Sequence, residues 1–193
     1  LAYDPNDDSF VVADAGDHCV LKIGRDGVTR SVVAGICGAP GSFDGFLNGP
    51  QGVAVSPTSG AIYVSDTRNN RVLRVGEDGV TLVVGDGSAS SGGEGSPARL
   101  FPIHGPTQLL VDDFGNLLIT STTTVRLVAN VDGDADADAD DRVATIYGGG
   151  ERVTFPERDS LCLNALTATA PREFLVVDAC QGFVVRLTST SSP

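Results

Sequence analysis

A period of about 52 residues, filled with short apolar strands and glycine-rich turns, predicts an all-β fold, a β-propeller of four-stranded antiparallel blades. Three observations carry this. Residues 12–32 lie over residues 64–84 without a gap, matching at Val12/Val64, Asp14/Asp66, Val20/Val72, Leu21/Leu73, Gly24/Gly76, Asp26/Asp78, Gly27/Gly79, Val28/Val80, Thr29/Thr81 and Val32/Val84. Turn signals recur at short-strand spacing in Asp26-Gly27, Pro57-Thr58-Ser59-Gly60, Asp78-Gly79 and Asp113-Phe114-Gly115-Asn116. There glycine supplies positive φ, and Asp or Asn bonds the local backbone. Composition agrees: valine, threonine and glycine abound, while methionine and tryptophan are absent.

Each element follows from alternating or continuous apolar character between such turns. The first repeat predicts strands at Leu1–Tyr3, Phe10–Ala13, Cys19–Ile23 and Arg30–Ala34. The second predicts Gly52–Val55, Ala61–Ser65, Arg71–Val75 and Thr81–Val84. Thr107–Val111, Leu117–Thr120, Thr124–Val128 and Arg142–Tyr147 form the third. The fourth supplies Leu161–Leu166, Glu173–Asp178 and Phe183–Leu187. Glycine-rich connections at Gly35–Asn48, Gly85–His104 and Gly148–Ser160 return the chain to the next inner strand. The blades are therefore expected near 1–48, 49–104, 105–160 and 161–193, the last incomplete.

A chain of 193 residues can bury the core of one domain. No run of 18 apolar residues is present, so no membrane-spanning helix is expected in this segment. No signal peptide is visible, and the chain opens at Leu1 inside a predicted strand. The net charge of −12 repels phosphate backbones and suits basic partners or divalent cations better.

Four cysteines permit two disulfides. Cys162 and Cys180 flank a turn near Pro171-Arg172 at equal distance, which sets them opposite one another in a tight hairpin. Cys19 and Cys37 share the same spacing of 18, but their hairpin turns near Asp26, so Cys37 overshoots the facing position by about four residues. Buried free thiols in a cytosolic protein are the alternative. Two disulfides would lean the chain toward a secretory or extracellular compartment.

The second repeat carries Pro50-Gln51-Gly52-Val53-Ala54-Val55 and then Tyr63-Val64-Ser65-Asp66-Thr67-Arg68-Asn69-Asn70-Arg71-Val72. On these residues the chain resembles the NHL-repeat family of β-propellers. The first repeat keeps Val12-Ala13-Asp14 and Val20. The third keeps Gly105-Pro106 and Gly115-Asn116-Leu117 but has Ser121-Thr122-Thr123 where the family has an Asp-containing turn. The fourth keeps Val176-Val177-Asp178. Read from the residues themselves, Asp14, Asp66 and Asp178 end strands and are expected to cap the turn that follows, with Asn69, Asn70 and Arg71 stabilising that turn or a neighbouring blade. Family propellers usually have six blades and this chain supplies about four. The resemblance thus implies a piece of a larger propeller, a compact four-bladed ring, or two copies completing one another. An open arrangement exposes strand edges and invites self-association.

The resemblance extends to peptidyl-hydroxyglycine lyases, which hold a channel metal with several histidines. Only His18 and His104 occur here, expected far apart, and a zinc site needs three or four ligands. The run containing Asp132, Asp134, Asp136 and Asp138 has the oxygen-rich spacing of a calcium loop, without its central glycine or closing glutamate. Weak calcium binding there is the sole cofactor expected, against a solvated low-complexity loop. No Gly-x-Ser-x-Gly elbow is present, and Gly92-Gly93-Glu94-Gly95 precedes no helix. Some family propellers bind RNA through a basic face, but 13 Lys and Arg against 25 Asp and Glu argue against nucleic acid. The sequence thus points to a non-enzymatic interaction module that binds a protein partner through inter-blade loops. Phe43, Asp44, Phe46, Arg68, Asn69, Phe101, His104 and Phe155 are the candidate contacts, with Phe43 and Phe101 alternatively filling gaps between blades. The competing reading is a metal-dependent lyase or lactonase whose further ligands lie in blades beyond this chain.

Overall fold

In the computed structural model, residues 1–90, 96–121, 124–128, 143–148, 163–170, 173–178 and 183–188 are described. They form four antiparallel sheets, the blades of a β-propeller. Blade 1 is β1 (Ala2–Asp4), β2 (Ser9–Asp14), β3 (Cys19–Gly24) and β4 (Arg30–Gly35). Blade 2 is β5 (Val53–Val55), β6 (Ile62–Asp66), β7 (Arg71–Gly76) and β8 (Gly79–Val84). Blade 3 is β9 (Leu109–Val111), β10 (Leu117–Thr120), β11 (Thr124–Val128) and β12 (Val143–Gly148). Blade 4 contributes β13 (Leu163–Ala170), β14 (Glu173–Asp178) and β15 (Phe183–Thr188). Each sheet runs in chain order, with consecutive strands paired. No helix among the described residues is long and apolar enough to cross a membrane.

The core lies between blades, which explains why the middle strands read as continuous apolar runs. On β6, Ile62 and Val64 pack toward blade 1 with Val11, Val20 and Leu47. Ala61 and Tyr63 face the other way, toward blade 3, with Phe101, Ile103, Leu117 and Ile119. Successive side chains of a strand point to opposite faces, so a blade flanked on both sides must be apolar at every position. Leu118 continues the pattern toward Phe174 and Val176 of blade 4. On blade 1 the face away from blade 2 carries Tyr3 and Phe10, tilted against one another with ring centroids 5.7 Å apart, and both are exposed.

The gapless repeat breaks at the β3–β4 turn. Val75 pairs with Val80, whereas its counterpart Ile23 pairs with Arg30, two residues further along the repeat. In blade 1 the Asp26 carboxylate accepts the backbone N–H groups of Val28 and Thr29, each at 2.9 Å, and the Thr29 hydroxyl at 2.7 Å. This opens a wider loop where blade 2 turns tightly between Gly76 and Gly79. The matched valines therefore separate: Val84 is fully buried while Val32 is 53% exposed. Ala34, opposite Val20, takes the place of Val84.

The same shift brings Cys37 to Cys19. Cys19 faces Gly35, so Cys37 overshoots by two residues rather than about four. Gly35, at φ 80°, turns the chain back, and Gly38 N–H donates to the Asp17 carbonyl at 2.8 Å. The two Cα atoms stand 5.0 Å apart and the sulfurs are bonded. The Cys162–Cys180 pairing lies outside the described residues. Replacing Cys19 and Cys37 together by alanine is expected to lower unfolding free energy by about 3 kcal/mol, from the entropy of an 18-residue loop. The check is a shift in urea midpoint at constant slope; a loss below about 1 kcal/mol would mean the loop is held without the bond.

Candidate functional site

In a four-stranded meander, the turn between the second and third strands and the exit from the fourth lie at the same end. The turns at 15–18 and 67–70 and the connecting segments 36–52, 85–90 and 96–108 therefore share one face of the propeller. Phe43, Asp44, Phe46, Arg68, Asn69 and His104 all fall on these segments, as does His18. Phe155 and the aspartates at 132, 134, 136 and 138 lie outside the described residues.

Asp66 organises this face. It is fully buried at the end of β6. Its Oδ1 accepts the N–H of Asn48 at 2.7 Å, and its Oδ2 accepts Asn69 Nδ2 at 2.7 Å and Arg71 Nε at 2.8 Å. Asn69 also donates to the Gly41 carbonyl at 2.7 Å, and Arg71 to the Phe46 carbonyl at 3.1 Å. The expected cap of the following turn is thus corrected: no side chain caps that turn, and the carboxylate reaches back to the connection from blade 1. Asp14, its counterpart, does act as a cap, accepting Gly16 N–H at 3.1 Å and Asp17 N–H at 2.9 Å. The difference lies in the partners, because the repeat counterparts of Asn69 and Arg71 are Asp17 and Cys19, which carry no such amide and guanidinium.

The opposite neighbour is fastened as firmly. Asn70, left-handed at φ 52°, accepts Gly105 N–H on its Oδ1 at 3.0 Å. Thr67 donates to the Pro106 carbonyl at 2.8 Å, and Ser65 to the Thr107 carbonyl at 2.6 Å. His18, also left-handed at φ 59°, accepts Gly49 N–H on Nδ1 at 3.0 Å. His18 thereby pins a loop, and His104 stands exposed on a different connection. Among the described residues, no three His, Cys, Asp or Glu side chains gather into a group that could hold a metal.

Of the candidate contacts, Phe43 is 80% exposed. Asp44, Arg68 and His104 are exposed, while Phe46 and Asn69 are half-buried. Phe101 is not a surface anchor: it is fully buried between blades 2 and 3, with the Arg126 guanidinium 4.6 Å from its ring centre. It fills the gap between blades, the alternative role considered for it.

Beside this network lies a cleft of about 530 Å³ lined by Ser42, Arg68, Asn69, Arg71, Leu82, Gly85, Asp86, Gly87, Arg99 and Leu100. A smaller, more enclosed groove of about 90 Å³ shares Arg71 and Leu82 and is lined also by Asp44 and Phe46. Arg71 is neutralised by Asp66, but among the described residues Arg68 and Arg99 form no ion pair. Arg99 Nε is buried without an acceptor. The far face differs. There Lys22 meets Asp4 at 2.7 Å and Asp7 at 2.6 Å, and Arg25 meets Asp8 at 2.8 Å. The Lys22 ammonium holds the Asp7 carboxyl below its usual range, and Arg25 does the same for Asp8. Sequence reasoning missed Arg99 and Leu100, since residues 85–104 have no matching partner in the repeat.

This face and its strand order define a β-propeller. The NHL-repeat family model matches residues 47–74, the stretch that holds the Asp66–Asn69–Arg71 network. Residues 47–74 thus match an NHL repeat, and they lie within a chain whose sheets form a β-propeller. NHL repeat-containing protein 2 of Homo sapiens is 30% identical over 117 residues, which is 56% of this chain and 16% of that protein. Among solved structures, a protein of unknown function from Bacteroides thetaiotaomicron superposes with TM-score 0.69 at 15% identity, over 97% of this chain and 46% of that one. A chain of a nidogen–laminin complex gives 0.65 at 16% identity, over 97% and 57%. A catalytically inactive virginiamycin B lyase from Staphylococcus aureus, with quinupristin, gives 0.63 at 15% identity, over 98% and 52%. The chain therefore spans about half the length of these structures and less of the human relative. At such identities the structures share its fold.

Proposed function

We propose that this chain is an interaction module that binds a protein partner through its inter-blade loop face. One observation carries the reading: Phe43, 80% exposed, and Leu100, 68% exposed, are presented beside Arg68 and Arg99, which form no ion pair among the described residues, next to a loop fastened by the hydrogen bonds of Asn69 and Arg71. Apolar and arginine side chains on a rigid frame lose little entropy on binding and make good anchors. That a propeller of similar shape occurs in a nidogen–laminin complex supports the reading by analogy of fold alone.

Two exposed phenylalanines test it. Phe43 sits on the loop face, and Phe114, 49% exposed, sits on the β9–β10 turn of the far face. Each is replaced by photoreactive p-benzoylphenylalanine, and the protein is irradiated in extract from its native source. A discrete adduct from position 43 and none from position 114 is expected. Adducts from neither position, or equally from both, would overturn the assignment.

A further inference from the structure

We infer that the cleft between Arg68 and Arg99 is a receptor for an acidic peptide segment, one carboxylate flanked by apolar side chains; this rests on the interaction role proposed above. Among the described residues some cations are ion-paired and others, Arg30 and Arg74 included, are not. Lys22, Arg25, Arg71 and Arg186 each have a carboxylate within salt-bridge distance. Arg68 and Arg99 have none among the described residues, yet both line the same cleft. Among the described residues the Nε of Arg99, like that of Arg74, is buried and lacks an acceptor, although buried donors are almost always satisfied; Arg99 is the one of the two that lines this cleft. A ligand oxygen would supply the acceptor that the described residues do not.

The rest of the lining narrows the ligand. Guanidinium forks match planar carboxylates and phosphates. A chain of net charge −12 repels polyanions at a distance, so a ligand bearing one or two charges is favoured over a phosphate backbone. Leu82 and Leu100 line the cleft, with Phe43 next to its Ser42, and these ask for apolar neighbours around the charge. The one carboxylate in the lining, Asp86, is turned to its own loop: its Oδ1 accepts Ser88 N–H at 2.8 Å. It leaves the two guanidiniums unneutralised and bars ligands with dense negative charge.

The test follows the arginine Nε–H signals of the ¹⁵N-labelled chain by NMR. Three probes are added separately: a blocked Leu-Glu-Leu tripeptide, its glutamine counterpart, and inorganic phosphate. The glutamate peptide is expected to shift the Arg68 and Arg99 signals saturably. The glutamine peptide and phosphate should bind about tenfold more weakly or worse, because each lacks either the charge or the apolar flanks. The Arg68→Gln and Arg99→Gln variants, each checked for an unchanged amide spectrum, should each lose most of the response. No shift with the glutamate peptide, equal response to the glutamine peptide, or phosphate binding as tightly would each overturn the inference. If the position-43 adduct still forms in that event, the docking face stands and only its acidic-peptide chemistry falls.

Discussion

Asp66→Ala is expected to destabilise the protein by about 3–5 kcal/mol, because it strands a buried guanidinium and two further donors. Asp66 is fully buried and Arg71 is 19% exposed at its side chain. Removing the carboxylate leaves Arg71 Nε, Asn69 Nδ2 and Asn48 N–H without their acceptor. The loss does not stop at the blade. Asn69 and Arg71 also hold the Gly41 and Phe46 carbonyls, so the 41–48 loop should loosen with them. Asp14→Ala is the internal control. It deletes two exposed hydrogen bonds within one turn and should cost about 1 kcal/mol. Urea unfolding gives both values, and amide exchange over residues 41–48 should quicken in Asp66→Ala only. Equal losses from the two variants would mean that Asp66 is an ordinary turn cap.

Gly52→Ala is the second large effect, expected at about 3 kcal/mol or more through forced separation of blades 2 and 3. An added Cβ would stand 1.8 Å from the Thr107 carbonyl oxygen and 2.9 Å from Ser65 Oγ. Neither can retreat. Gly52 N–H donates to Ser65 Oγ at 2.6 Å, and Ser65 Oγ donates to Thr107 O at 2.6 Å, one chain of bonds across the inter-blade seam. Gly105→Ala separates this from a backbone effect. Gly105 has φ 53° with nothing within 4 Å of a new Cβ, so only the left-handed conformation is penalised, at about 1–2 kcal/mol. The order Gly52→Ala worse than Gly105→Ala by unfolding midpoint is the expected result; the reverse order would place the seam elsewhere.

These two sites show what the sequence makes legible. The strands were readable because flanked blades need apolar residues at every position, and Ile62-Tyr63-Val64 states that need outright. The turn chemistry was readable at Asp26 and Asp14. What escaped was anything set by distance across the seam. Gly52 reads as a strand residue until Thr107 is placed against it. Asp66 and Asp14 occupy the same repeat position, and only the partners at 69 and 71 divide a clamp from a cap. Identical Asp-Gly-Val-Thr stretches at 26–29 and 78–81 fold into different turns, so identity overstated structural equivalence there. The candidate loops were found by their glycine content and their place between repeats. Arg99 was not, because its significance is the cleft it lines with Arg68 and the lack of an ion pair among the described residues, and neither has a sequence signature. Phe101 could be read as a surface contact or as a filler between blades, because a loop aromatic and a core aromatic look alike in one dimension, and its burial selects the second.

The separation of fastening residues from free ones is the core of this account: Asp66, Asn69, Asn70 and Arg71 hold the loop face, and Arg68, Arg99, Phe43 and Leu100 are left to bind. The most direct measurement is the yield of photo-adduct from position 43 in the otherwise native chain and in Arg68→Gln/Arg99→Gln. The account predicts a drop of about tenfold or more in the double variant, with the unfolding midpoint nearly unchanged. An undiminished adduct in a folded double variant would contradict it.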